Sequence, residues 1–194
     1  LASSYLRTLY QSESTTDGPL RADAGRYART AFNLHVHGAF SKAPPSLEAP
    51  QSRTDLAPGY PLFLTLFLEP TDAEPGWYLD LEKIRAWQAV IGSLIVLLTY
   101  VLARQFLPLG WATAVGVLTA TSPHLIAISD YVLTESLFML VMMAGFLLAA
   151  YDLRLSNLWW LFAASFLIAL SAEVRYIALA MPLCLVPLAL VRPR

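Results

Sequence analysis

Ala86-Trp87-Gln88-Ala89-Val90-Ile91-Gly92-Ser93-Leu94-Ile95-Val96-Leu97-Leu98-Thr99-Tyr100-Val101-Leu102-Ala103 contains no charged side chain. With its flanks the stretch reaches the ~20 residues that a helix needs to cross a bilayer. It also marks a change of composition. Residues 1–85 hold most of the charge and eight prolines, among them Pro58, Pro61, Pro70 and Pro75; from Ala86 onward the chain is nearly all apolar. The shift divides the chain into a water-exposed segment, 1–85, and a membrane bundle, 86–194.

Further spans follow the first. Gly110 to Ser129 and Tyr131 to Tyr151 are long enough to cross, the latter interrupted by Glu135 and by no other charge. Asn157 to Ala172 and Tyr176 to Val191 are shorter and marginal for a ~30 Å hydrocarbon core. About five spans are expected, with tight turns at Pro108-Leu109-Gly110 and Arg154-Leu155-Ser156-Asn157. Arg104, Arg154, Arg192 and Arg194 fall at alternate turns. Short-loop arginines mark the cytoplasmic side. The opposite side then holds the segment before Arg85, the turn from Asp130 to Glu135, and Glu173 with Arg175.

The whole chain of 194 residues is 57% hydrophobic and 14% charged, with mean hydropathy +0.54 and net charge -1. No global field points to nucleic acid. A single cysteine, Cys184, excludes an intrachain disulfide, and no Cys/His spacing suggests a zinc site. The chain starts at Leu1 and ends in mid-pattern at Arg194, so it reads as a piece of a longer polypeptide. The fold class is therefore all-α: a polytopic membrane helix bundle with an external loop carrying short interfacial helices.

Within 1–85, Asp23 to His35 has helical spacing. Ala24, Tyr27, Ala28, Ala31, Phe32 and His35 share a stripe, with Arg26, Arg29 and Asn33 on the other face. Asp23 suits the start and Gly38 the end. A second short helix is expected near Pro61, through Phe67. Neither can span, so both should lie at the interface.

Glu135 is the costliest charge in the apolar half, and so a functional-site candidate. It reads as an acid facing an external cavity together with Asp130, or as a first-turn acid behind an Asp130 cap. Asp23 reads as a helix cap, or as a carboxylate serving as general base or metal ligand. Arg175 reads as a holder of a lipid phosphate, as a partner of its neighbour Glu173, or as a snorkelling side chain. His35 and His37 have a metal-capable spacing without a third ligand nearby. Pro58-Gly59-Tyr60-Pro61 is a rigid turn that launches a helix. Trp77, Tyr78, Trp87, Trp159 and Trp160 suit membrane interfaces.

Taken in order, Asp23, Tyr27-Ala28, Asn33-Leu34, Gly38, Phe40-Ser41, Pro58 to Leu64, Ser122-Pro123 and Leu133 to Phe138 resemble the GT-C membrane glycosyltransferases. The similarity is to the branch named after dolichyl-phosphate-mannose–protein mannosyltransferases. The resemblance implies transfer of a sugar from a polyprenyl-phosphate donor to a protein, lipid or glycan acceptor, on the non-cytoplasmic side of a plasma (inner) membrane. It implies that Asp23 deprotonates the acceptor hydroxyl, with inversion at the sugar carbon. Asp130 or Glu135 would match the acid of the second external loop. Arg175, Tyr27 and Tyr60 are the expected substrate-binding residues. Asp17-Gly18 offers an alternative to Asp23, because many members carry an Asp-Glu or Asp-Gly pair there. A divalent metal ion as cofactor is left open; a metal requirement would mark a variant similar to oligosaccharyltransferases. Membrane lipids complete the expected partners.

Two readings from other classes compete. A transporter would also place acids near helix ends, but its coupling groups tend to lie near the midplane on broken helices. A non-catalytic membrane scaffold needs no acids and would tolerate their joint replacement.

Overall fold

The computed structural model describes residues 23–44, 50–52, 55–72, 76–155 and 158–185. Helices dominate, as the composition requires: α1 Ala24–His37, α2 Gly59–Thr65, α3 Leu81–Phe106, α4 Leu109–Ala120, α5 Pro123–Asp130, α6 Glu135–Leu155, α7 Leu158–Ala172 and a 3-10 helix Tyr176–Leu185. The strands among the described residues are β1 Leu68–Pro70 and β2 Trp77–Leu79. The chain divides into two compact units, 1–87 with 130–133, and 88–129 with 134–194.

In the first unit, α1 buries Ala24, Ala28, Ala31 and Phe32, the heart of the expected stripe. It ends at Gly38, whose φ of 63° is the left-handed region that glycine enters without a Cβ penalty. Two positions differ from the sequence reading. His35 is exposed, and Asn33 is fully buried. The cause is the chain beyond Gly38, which folds back over the Asn33 face. The Asn33 amide donates to the Ser41 carbonyl at 2.8 Å and the Ala43 carbonyl at 2.9 Å. A helical wheel shows only the helix, so it cannot show such a cover.

Helix α2 starts after Pro58 and carries Pro61 in its first turn, where an N–H would have no helical partner anyway. It buries Tyr60, Pro61 and Leu64. The antiparallel pair β1–β2 follows, in register Leu68/Leu79, Glu69/Tyr78 and Pro70/Trp77. The sequence reading had no strands here, although Trp-Tyr-Leu suits a pleated surface. Asp80 then caps α3, accepting the Lys83 N–H at 3.0 Å.

In the second unit, α3 ends with the Arg104 guanidinium donating to the Leu107 carbonyl at 2.7 Å, a basic cap on a helix C-terminus. The stretch read as one span from Gly110 to Ser129 is two helices, α4 and α5, bent by 45°. Pro123 accounts for the break: it has no N–H for the preceding turn and disfavours helical geometry at Ser122. Helices α6 and α7 pack closely around Ala149, Ala164 and Ile168, flanked by Phe146, Leu148, Leu161 and Met181. Gly145 makes the approach possible. A Cβ there would lie 2.6 Å from Ile168 Cγ1 and 3.3 Å from the Ala164 carbonyl. Small residues at helix contacts are the usual means of close packing in a bilayer, where the hydrophobic effect does not press helices together.

Among the described residues two helices, Leu81–Phe106 and the Glu135–Asp152 part of α6, are long and apolar enough to cross a membrane; the bent pair α4–α5 makes a third if counted as one span. Helix α7 is apolar but has 15 residues.

Candidate functional site

Asp23 stands immediately before α1, yet it does not cap the helix with its side chain. Its backbone carbonyl accepts the Arg26 and Tyr27 N–H groups, while its carboxylate turns to the Arg26 guanidinium at 3.0 Å. Asp23 is thus half exposed and, among the described residues, pairs with Arg26. Arg26 is shared: its other terminal nitrogen forks onto Asp55 at 2.7 and 2.8 Å, and Lys42 reaches Asp55 at 2.9 Å. The hydrogen bonds from Lys42 and then Arg26 hold the Asp55 carboxyl well below the usual carboxylate range. Asp55, and secondarily Asp23, in turn keep the Arg26 guanidinium above its ordinary value. The sequence reading assigned Arg26 only to a polar face. The three-residue spacing of Asp23 and Arg26 on a helix was the available signal; nothing local pointed to Asp55 or Lys42.

The same unit places Tyr27 edge-on to Tyr60, with ring centroids 5.3 Å apart and planes at 85°. Tyr60 is fully buried and leads into Phe63 and Phe67, which continue the contact at 5.8 and 5.0 Å. Its ring locks α1 to α2, and Tyr27, like Phe63, is half-buried. The two histidines take aromatic partners: His35 packs on Trp77 at 4.5 Å and His37 on Phe32 at 6.2 Å. Among the described residues, no three His, Cys, Asp or Glu side chains cluster as a metal site.

Asp130 also belongs to this unit. It is the last residue of α5 and not the cap of the next helix. An acid at a helix C-terminus opposes the dipole; Arg85, 3.5 Å away, offsets it. The position before α6 belongs instead to Thr134, whose carbonyl accepts the Phe138 N–H at 2.9 Å.

In the second unit, Glu135 opens α6, where the dipole favours an acid. Its Oε1 lies 2.7 Å from Arg175 Nη1, both side chains being roughly two-thirds covered. Arg175 sits in the elbow between α7 and the 3-10 helix, where its N–H donates to the Ser171 carbonyl and its own carbonyl accepts the Ala178 N–H. Neither protein-side reading of Arg175, a partner of Glu173 or a snorkelling side chain, is what the structure shows: Arg175 pairs with Glu135. The elbow thus delivers a guanidinium to the head of α6. A guanidinium fork fits phosphate as well as carboxylate.

Asp17-Gly18, the alternative to Asp23, lies outside the described residues, as do Arg192, Arg194 and the side chains of Arg154 and Cys184.

A family model described as dolichyl-phosphate-mannose-protein mannosyltransferase matches residues 8–192. No curated protein and no solved structure matches the chain.

Proposed function

From its membership of the dolichyl-phosphate-mannose-protein mannosyltransferase family, which makes this chain a membrane glycosyltransferase, we propose that it serves sugar transfer from a polyprenyl-phosphate donor to a protein hydroxyl on the non-cytoplasmic side. Asp23 is the general base. The acceptor oxygen attacks the anomeric carbon, the bond from that carbon to the phosphate oxygen breaks, and the polyprenyl phosphate leaves with the electron pair. The acceptor proton passes to Asp23. Attack opposite the leaving group inverts the sugar carbon. A phosphate already leaves well, so a base on the acceptor and a cation at the phosphate are the main requirements.

The observation that carries the base assignment is the Asp23 carboxylate itself. It precedes α1, remains half exposed, and is not spent on capping. Arg175 is the proposed phosphate ligand, with Glu135 as its resting counterion. Tyr27 contributes to substrate contact, and Tyr60 holds Tyr27 in place. Asp130, engaged with Arg85, shapes the start of the 131–134 turn. Asp23→Asn in the full-length membrane protein should abolish transfer from a polyprenyl-phosphate sugar to a peptide acceptor while leaving insertion intact. Near-normal transfer by that variant would remove Asp23 from the role.

A further inference from the structure

Within the first unit, Arg26 divides its guanidinium between two carboxylates. Nη1 donates to Asp23 Oδ1 at 3.0 Å, while Nη2 donates to both oxygens of Asp55, at 2.7 and 2.8 Å. Asp55 is pinned a second time by Lys42, whose Nζ lies 2.9 Å from Oδ1. Three segments therefore meet: α1 brings Arg26, the chain beyond Gly38 brings Lys42, and the stretch before α2 brings Asp55.

A carboxylate forks onto a guanidinium only along an edge that includes Nη2, either with Nη1 or with Nε. Asp55 occupies Nη2. Asp23 is thereby confined to a one-point contact, and among the described residues it pairs through Oδ1 alone. Were Nη2 free, Asp23, three residues back at the start of the same helix, would close the stronger two-point fork. A carboxylate has about four lone-pair sites, and a fork takes the syn site on each oxygen. The anti sites left over are the weaker proton acceptors. With a one-point contact, Oδ2 keeps both of its sites and can turn one toward an acceptor hydroxyl. We infer that Asp55 is a positioning residue for the proposed base: by holding Arg26 Nη2 it limits Arg26 to a one-point grip on Asp23 and keeps Oδ2 open for the acceptor proton. Lys42 fixes Asp55 in that place. The proton that leaves the acceptor oxygen ends on Asp23, and Asp55 exchanges none. The inference rests on the reading of Asp23 as general base and adds what keeps that base available.

Asp55→Ala frees Nη2. With full-length protein in membranes, a polyprenyl-phosphate sugar donor and a peptide acceptor, kcat should fall about tenfold, part of the roughly 10²–10⁴-fold that a positioned base supplies. Donor KM should stay within about twofold, since donor contacts are untouched. Asp55→Glu, which keeps two oxygens for Nη2, should recover most of the loss. Asp55→Asn, close to the native shape, should show the same pattern in smaller measure and covers the case in which Asp55→Ala fails to insert. Arg26→Met combined with Asp55→Ala removes the guanidinium that would capture Asp23, so the double variant should transfer faster than Asp55→Ala alone. A merely structural Asp55 predicts the reverse, because the double variant has lost further contacts. A double variant no faster than Asp55→Ala overturns the inference, as does a raised donor KM with kcat unchanged. A second arm needs no transfer. Carbodiimide coupling of glycine ethyl ester to Asp23, read by mass spectrometry of the purified full-length protein, should slow in Asp55→Ala and recover in the double variant. Unchanged coupling at Asp23 in Asp55→Ala overturns the inference whatever the transfer rate. The expected coupling pattern beside near-normal transfer by Asp23→Asn would instead count against the base and leave the hold of Asp55 on Nη2 standing.

Discussion

Arg175 Nη1 lies 2.7 Å from Glu135 Oε1, joining the elbow after α7 to the first residue of α6. A carboxylate and a guanidinium placed at the edge of a membrane are each expensive alone. Together they remove much of that expense, and in the proposed reaction the pair opens when the donor's anion competes for Arg175. The donor's phosphodiester in that reaction matches the carboxylate in charge, and the leaving polyprenyl phosphate, a monoester with more charge and more free oxygens, is the stronger competitor.

Exchange of partners predicts opposite effects for the two residues. Arg175→Ala should raise donor KM at least tenfold, and Arg175→Lys should recover part of it, because an ammonium keeps the charge but not the fork. Glu135→Gln should lower donor KM, since the guanidinium no longer has to be won from a carboxylate. Loss of either partner should lower stability by about 1 kcal/mol, as for a partly exposed pair. A Glu135→Gln protein with unchanged donor KM and no turnover would mean that Glu135 acts in the chemistry and not as a counterion.

Asn33→Ala should destabilise the first unit by about 2–4 kcal/mol. It removes two hydrogen bonds to the Ser41 and Ala43 carbonyls and leaves those acceptors without the amide, the first of them in a buried site. Limited proteolysis of the segment after Gly38 is the direct readout. Cutting there should accelerate in the variant, and wild-type resistance would contradict the clamp.

Asn33 also shows where sequence reading stops. Periodicity found α1, its glycine terminus and most of its buried face, because those depend on neighbours three or four residues away. It put Asn33 outside, since the covering segment arrives from beyond the helix. The same limit applies to Arg175: adjacency suggested Glu173, whereas the fold brings Glu135. Apolar runs located the membrane-compatible helices, but Gly110 to Ser129 read as one span straight through Pro123. The 45° bend at Pro123 required coordinates. Asp55 carried no signal at all, because a lone surface acid is ordinary until Arg26 and Lys42 converge on it.

Acid titration should report that convergence. The pairing with Lys42 and Arg26 depresses the folded-state value of Asp55 below its ordinary value of 3.8. Its contribution to stability is therefore present in full above the unfolded value and is lost as pH falls through the folded one. The stability difference between wild type and Asp55→Asn should be constant from pH 5 to 7 and shrink only below about pH 4. Thermal melts of the detergent-solubilised protein across that range provide the check. A difference that grows on acidification would have the wrong sign for a depressed carboxyl.

The contact of α6 with α7 offers the sharpest structural test. Gly145→Ala should cost about 1–3 kcal/mol, the range for overpacking a close contact, because its methyl would sit 2.6 Å from Ile168 Cγ1. Ile168→Ala alone should also destabilise, by about 2–5 kcal/mol, since Ile168 is fully buried against Ala149 and Ala164. Combined, the two changes should be strongly non-additive: truncating Ile168 removes the atom that the new methyl strikes, and the methyl fills part of the space left behind. The double variant should therefore be no less stable than Ile168→Ala. Thermal unfolding of the four proteins in detergent closes the cycle. Simple additivity would mean that Gly145 and Ile168 do not meet, and would overturn the packing assigned to this helix pair.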